Sequence, residues 1–345
     1  MTLAVASGRV AAAPLARASR GAVVRQVAIG VLVGSVALWL TFRGVNWKEL
    51  QAAVQGVNPW MTTGALALNI GALLVMIVRW QIFLAAMGQP VAFAEAFRAM
   101  VVGQMVNILV PIRLGELVRV HALSQRTSVP RTEVLLTIAV EKLLDAALFG
   151  GCLFLVGVLA VAPARVSARP TTFLVSAGLL AVLVWVLGSN PRAVINAATL
   201  ALGLLPLRAS RFAIERLHRM VAGVAALRTT RTSVSVAVLS VVMIALSTLT
   251  NYVLFIAFGL ELSLMAAFVL MLLLKAGNLP PSLPGKLGTV NLVTAFSLSL
   301  YGVSEPVAVG YAVVLYVVTL LPKVLIGALY ASDRSLWIRP SLAGS

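Results

Sequence analysis

The chain has 345 residues, 61% of them hydrophobic and 11% charged, with a mean hydropathy of +1.02. Water-soluble domains are nearer 45–50% apolar and about 25% charged, so a soluble fold could not hide this much apolar surface, whereas a bilayer can. The net charge of +17 does not signal a nucleic-acid binder, because the cations sit between apolar runs and form no continuous basic face with interleaved aromatics. The single Cys152 lies inside an apolar run, allows no internal disulfide, and reads as a small buried hydrophobe.

From the N-terminus, residues 1–24 form a basic arm with Arg9, Arg17 and Arg20, and an apolar run follows at 24–42. No polar domain comes after it, so it reads as an uncleaved transmembrane helix rather than a removed signal sequence. Further runs of spanning length lie at 61–79, 133–162, 171–189, 233–258 and 306–331. Two more, 94–112 and 263–301, are interrupted by polar residues, Pro and Gly. The expected fold is an all-α polytopic membrane protein of eight apolar segments: six full transmembrane helices and two broken, re-entrant helical hairpins. Eight plain crossings are the alternative. Residues 25–162 would make a first membrane repeat and 163–331 a second, with a tail at 332–345.

Cations set the orientation. Arg98, Arg113, Arg119, Arg126 and Arg131 follow the second run, and loop 190–232 holds seven arginines from Arg192 to Arg231. The intervening connections hold few: Arg43 and Lys48, then Arg165 and Arg169. Both termini and the 190–232 loop are therefore expected in the cytoplasm, in a plasma (inner) membrane. Within that loop Arg211, Glu215, Arg216 and Arg219 alternate with Phe212, Ile214, Leu217 and Met220, a pattern that fits either a basic amphipathic helix on the membrane surface or a solvated connector.

The two broken runs resemble each other. Ala96-Phe97, Met100 and Asn107 align with Ala267-Phe268, Met271 and Asn278; after a two-residue gap Pro111, Arg113 and Leu114-Gly115 align with Pro284, Lys286 and Leu287-Gly288. Pro breaks a helix and Gly tolerates the turn, and such backbone survives at membrane depth only when buried in protein or lining a wet cavity. If each break is a re-entrant hairpin, each half has three crossings, and the second half is inverted relative to the first. Inverted repeats with discontinuous helices are a transporter signature.

Ionisable residues inside spans mark function by default. Glu141, Lys142 and Asp145 lie within one apolar run, with Lys142 and Asp145 spaced to pair; they are the expected coupling or gating residues. An internal ion pair that locks helix packing is the alternative for Glu141. Asn107, Arg113, Glu116 and Arg119 around the first break, and Lys275, Asn278 and Lys286 around the second, are the expected substrate contacts, since guanidinium and ammonium groups match phosphate oxygens. A helix-end cap made by an Arg113–Glu116 pair is the alternative there. Arg79-Trp80, at the end of the second run, is expected to be an interfacial anchor. His121 and His218 have no metal-ligand spacing, and HExxH, Walker A and GxSxG are all missing. Neither a metal nor a cofactor is expected.

In order, Arg79-Trp80, Asn107, the Pro111-x-Arg113-x-Gly115-Glu116-x-x-Arg119 block, Glu141-x-x-x-Asp145 and Pro284-Gly285-x-x-Gly288 resemble the lysylphosphatidylglycerol synthase transmembrane-region family of flippase-like proteins, over about residues 25–330. The resemblance implies movement of a lipid between leaflets. Larger members carry a soluble C-terminal synthase domain, and only residues 332–345 follow the last run here, so lipid synthesis is not expected. The function expected is a lipid translocator for a phospholipid, glycolipid or isoprenoid-linked lipid, not an enzyme. The alternatives are an intramembrane lipid-modifying transferase and a non-catalytic partner of a lipid-biosynthetic enzyme.

Overall fold

The computed structural model describes Trp39 and residues 47–110, 114–161, 230–277 and 287–332. The expected spans 24–42 and 171–189, the N-terminal arm, the 190–232 loop, nearly all of the tail, and Pro111, Arg113, Asn278, Pro284 and Lys286 lie outside the described residues. The described residues are helical and contain no strand. In chain order they form α1 (Trp47–Gln55), α2 (Pro59–Ala86), α3 (Phe93–Leu109), α4 (Gly115–Arg126), α5 (Arg131–Val161), α6 (Thr230–Ala257), α7 (Leu264–Gly277), α8 (Leu287–Ser299), α9 (Glu305–Thr319) and α10 (Leu321–Ala331).

Among the described residues, three stretches are long and apolar enough to cross a bilayer: Pro59–Ala86, Arg231–Ala257 and Glu305–Ala331. Helix α5, with 31 residues, also has the length but carries Glu141, Lys142 and Asp145 near its middle. Large apolar side chains such as Trp60, Phe154 and Leu329 are exposed, as expected where lipid replaces water as the solvent.

Helices α2 and α6 are the central pair and run antiparallel along their length. Gly64 lies against Val253 and Gly71 against Leu246, Arg79 bonds Ser240, and the Asn58 amide donates to the Ala257 carbonyl at 3.0 Å. Asn58 also caps α2, its side chain accepting from Trp60 and Met61 amides at 2.9 and 3.2 Å, with Pro59 at the first helical position, where a missing N–H costs nothing. Both helices end alike. Gly88 and Gly259 take φ of +77° and +65°, and the Gln89 and Leu260 amides reach back to the Leu84 and Phe255 carbonyls at 2.9 Å each. These are Schellman caps, which need a residue free to adopt positive φ.

Each broken run contains two described helices. In the first, α3 and α4 fold back on one another: Glu95 pairs with Arg126, Gly103 faces Gly115 and Arg119, and the Asn107 side chain accepts the Gly115 amide at 2.8 Å. A Cβ on Gly103 would stand 2.7 Å from the Gly115 carbonyl oxygen, and one on Gly115 would collide with the Gly103 carbonyl and Asn107. In the second, Gly277 of α7 meets Val293 of α8, whose Cγ2 would lie 2.6 Å from an added Cβ. At 17, 12, 14 and 13 residues, these four helices fall short of the ~20 residues that one crossing needs.

The halves keep a common spacing. Helix α6 begins 171 residues after α2 (59 to 230) and has the same 28-residue length. Helix α7 begins 171 after α3 (93 to 264), and the two cap glycines are separated by the same 171 (88 to 259). Helix α9 begins 174 after α5 (131 to 305).

Packing forms two apolar cores. One joins α2, α3, α4, α5, α6 and α7 around Trp80, Phe83, Met100, Leu123 and Leu144. The other joins α2, α6, α7, α8 and α9 around Phe255, Leu270, Tyr311 and Leu315. The run 306–331 is divided at Leu320 into α9 and α10. Pro322 has no amide hydrogen to offer the Val318 carbonyl, and the Asn69 side chain donates to that oxygen instead, at 3.1 Å.

Replacing Gly115 by Ala is expected to lower stability by about 1–3 kcal/mol through overpacking. Gly150, on α5 with open space around it, should gain up to about 1 kcal/mol from Ala through helix propensity. Thermal unfolding of the detergent-solubilised chain should therefore move in opposite directions for the two variants.

Candidate functional site

Where α2, α4, α5 and α6 meet, four charges are brought together inside the apolar core. Arg79, Arg119 and Glu141 are almost fully buried, at 1%, 4% and 1% exposure. An Arg79 terminal nitrogen (Nη2) lies 2.7 Å from Asp145 Oδ1 and 3.9 Å from Glu141 Oε1. Its other terminal nitrogen donates to the Ser240 hydroxyl at 3.0 Å. Arg119 donates to Glu141 Oε2 at 2.6 Å. The order is a chain, Asp145–Arg79–Glu141–Arg119, with two positive and two negative members. Alternation and neutrality matter because an unpaired charge in this surrounding would cost several kcal/mol.

Trp80 supports the cluster from below. Its ring lies 3.6 Å from the Arg119 guanidinium carbon, a cation–π contact that strengthens when water is excluded. Its indole N–H donates to Thr137 at 3.1 Å, and Thr137 donates to the Val134 carbonyl at 2.8 Å. The ring is thereby held on α5 while its face holds the α4 arginine.

This arrangement corrects two sequence expectations. Arg79-Trp80 is no interfacial anchor: the helix runs seven residues past Arg79 to Ala86, which carries both side chains into the core. Lys142 does not pair with Asp145 along α5. Its ammonium stands 3.5 Å from Glu116 Oε1 on α4, while Asp145 is taken by Arg79. An (i, i+3) spacing permits a pair, but a partner on a neighbouring helix supplied the better geometry for each residue.

The remaining expected site residues are placed as follows. Asn107 bonds the Gly115 amide inside the first hairpin. Glu116 faces Lys142 and keeps its second carboxylate oxygen buried without a hydrogen-bond partner. Lys275, in the last turn of α7, stands apart from the arginine–carboxylate chain and lines two spaces. One is a crevice of about 10 Å³ shared with Asp145 and Cys152, room for about one water. The other is a cavity of about 240 Å³.

That cavity has a polar wall. Asn69 and Gln104 come from α2 and α3; Ser247, Thr250 and Asn251 from α6; Lys275, Thr319 and Lys323 from α7, α9 and α10. No carboxylate is among its described lining residues. Of the expected contacts among the described residues only Lys275 lines it; Asn69 and Thr250 are not singled out in the sequence, and Arg79-Trp80 stand out there only as an interfacial anchor and a family motif. The signal that could have found them is the 171-residue spacing carried further upstream, which sets Arg79-Trp80 opposite Thr250-Asn251 and Gly88 opposite Gly259.

The family model for the lysylphosphatidylglycerol synthase TM region matches residues 27–327. The chain belongs to that family. The match takes in the charged cluster and the helices on both sides of each break. Membership makes this lysylphosphatidylglycerol synthase TM-region chain a membrane protein connected to lipid metabolism or transport. No curated protein matches it.

Removing one member of the buried chain should be costly. Glu141→Gln leaves Arg119 and Arg79 short of a counter-charge and is expected to lower stability by about 3–5 kcal/mol. The paired replacement Arg119→Met/Glu141→Leu should cost less than the sum of its single changes. Thermal denaturation of purified protein, arranged as a double-mutant cycle, measures the difference.

Proposed function

We propose that this chain is a lipid translocator. It passes a polar headgroup through the interior while the tails remain in the bilayer. The observation that carries the reading is a polar cavity beside a charge-balanced cluster, both built where short helices pack against helices of membrane-spanning length. A structural membrane protein has no need to keep eight polar side chains around an open space in its interior, because each carries a desolvation cost.

In this reading the chain is an inverted repeat. The common helix spacing, the matched Schellman caps and the antiparallel α2–α6 pair support it. The hairpins α3–α4 and α7–α8 enter from opposite faces and stop within the membrane, and their short helices agree with that. Both termini and the open end of the first hairpin face the cytoplasm. Arg98, Arg126, Arg131 and Arg231 gather at the corresponding helix ends, where Arg98 stands 5.8 Å from the ring of Tyr330 near the end of α10.

Headgroup contact falls to Lys275, with Arg113, Lys286 and Asn278 joining from the two breaks. Glu141 and Asp145 serve as gating or coupling groups. Asp145 is the member of the cluster closest to water, its side chain 31% exposed. Protonating it would release Arg79, which then has only Glu141 at 3.9 Å, and the α2–α5 contact would loosen. With no nucleotide-binding motif in the sequence, transport runs downhill or on an ion gradient.

Reconstitution into vesicles with fluorescent phospholipids tests the activity. The wild-type chain should equilibrate lipid between leaflets, and Asp145→Asn should slow this by about tenfold or more at equal insertion, the kinetic equivalent of one lost charge-assisted contact. Equal rates for the two proteins would rule out the gating role, and no leaflet exchange by the wild type would rule out the translocator. The topology is tested separately. Cysteines placed at 113 and 286, with Cys152 replaced by Ser, should react with an impermeant maleimide from opposite sides of the membrane. Labelling of both from one side would remove the inverted repeat.

A further inference from the structure

The two pairs of short helices are held by different kinds of force. In the first pair, α4 carries Glu116, Arg119, His121 and Arg126. Arg126 pairs with Glu95 of α3, while Arg119 and Glu116 pair with Glu141 and Lys142 of α5. The Arg119 guanidinium also stacks on Trp80 of α2. Helix α8 holds the matching place in the second pair, its Leu287-Gly288 aligned with Leu114-Gly115, and from Leu287 to Ser299 it has no ionisable side chain. Whatever its neighbours present, no ion pair can hold α8. Buried polar atoms without a hydrogen-bond partner do not separate the two helices, since Ser124 Oγ and Gln125 Oε1 of α4 share that state with Asn291 Oδ1 and Thr294 Oγ1 of α8. Charge does separate them. Apolar packing fixes position only weakly where lipid tails compete with side chains.

The hold on α8 is also uneven along its length. Ala295 and Leu298, in its second half, belong to the second apolar core, with Leu298 fully buried. The Leu298 carbonyl accepts the Tyr301 and Val303 amides at 3.0 and 3.2 Å, around Gly302 at a φ of +75°. Gly302 has open space about it, and α9 begins three residues later, at Glu305. Neither apolar core takes a described residue from the first half, 287–293. There Val290 forms part of the cavity wall, and Val293 rests on Gly277 of α7, a residue with no side chain to interlock. The helix is anchored at one end and lightly held at the other, beside an open space. Lids move in this way, as stiff elements turning about a few residues at one end.

We propose that α8 is the moving element of this protein. It pivots about Gly302, its first half leaves Gly277 of α7, and the cavity wall opens at Val290. Helix α4, tied by charge to α3 and α5, stays in place. The two halves therefore divide the work: the first is a frame and the second carries the gate. The proposal rests on the translocator reading for what the motion serves, whereas the motion itself can be measured without transport.

The test joins α8 to α7. A Cβ added at Gly277 would stand 3.5 Å from the Val293 Cβ, within the roughly 3.5–4.5 Å that a disulfide spans. Exchanging Val293 for Cys also removes the methyl group that crowds that position. In a Cys152→Ser background, Gly277→Cys/Val293→Cys in phospholipid vesicles should move lipid between leaflets about tenfold more slowly oxidised than reduced. The control is Ala53→Cys/Gly310→Cys, which joins α1 to α9 at a Cβ separation of 3.6 Å and should move lipid equally fast in both states. Hydrogen–deuterium exchange of the wild-type chain in nanodiscs gives a second reading. Amides 291–295 of α8 should exchange about tenfold or more faster than amides 119–123 of α4, because only α8 opens. Equal amide exchange in the two helices, or equal lipid movement by the oxidised and reduced Gly277→Cys/Val293→Cys chain, would overturn the proposal. If that disulfide does not close, amide exchange alone decides. A wild-type chain that moves no lipid yet shows the contrast in amide exchange would keep the mobile helix and remove the translocator reading instead.

Discussion

Charge neutrality inside an apolar core is the constraint on which the rest of this molecule depends. Three of the four ionised side chains are almost fully buried and the fourth, Asp145, about one-third exposed, and each is tolerable only because the next one compensates it. Asp145 and Glu141 stand one turn apart on α5; Arg79 comes to them from α2 and Arg119 from α4. Because a residue advances an α-helix by only about 1.5 Å, hydrogen bonds of 2.6–2.7 Å at two levels of α5 fix the axial register of α2 and α4 against it. Apolar packing between lipid-facing helices lacks that resolution, since lipid tails compete with side chains on nearly equal terms. The cluster therefore sets the positions, and the surrounding Leu, Val and Phe side chains fill the shape so defined.

Backbone satisfaction is the second demand, and it explains why many polar side chains here serve the chain itself. A carbonyl or amide left open at membrane depth costs several kcal/mol. Asn69 answers the Val318 carbonyl that Pro322 leaves open. Asn107 answers the first amide of α4 beyond the first break, and Gly88 and Gly259 close the ends of α2 and α6. The serine and threonine hydroxyls of α6 and α9 bond back onto their own helices. In each case a side chain that composition alone would mark as a ligand contact has a backbone duty, and its remaining lone pairs decide what it can still do.

The same distinction shows what the sequence could reveal. The membrane character, the all-helical class of the described residues, the break after Leu109, and the burial of Glu141 follow from hydropathy, Pro and Gly placement and the cost of intramembrane charge. Arg79 did not, for a physical reason. A hydropathy window ends at the first strong charge, whereas a helix ends where its backbone can be capped, and the cap for α2 is Gly88 rather than Arg79. Lys142 misled in a related way. Spacing along one helix gives the pairs that are possible, but the partner chosen depends on what neighbouring helices bring, and here α2 and α4 bring Arg79 and Glu116. The cavity was illegible for a third reason: its wall draws one to three residues from each of seven helices, and apart from Lys275 none of them is unusual in its own segment.

Lys275 joins these two regions. It lines the open cavity and also the crevice that ends on Asp145, so one ammonium group is in the field of the ion chain and on the wall of the cavity at once. The two form no ion pair: Asp145 is held by Arg79 at 2.7 Å, and Lys275 faces it only across that crevice. The link between the regions is therefore a through-space attraction between an ammonium and a carboxylate, which weakens in proportion to their separation. Whatever changes the charge on one is felt by the other in equal measure, because a coupling free energy acts equally in both directions.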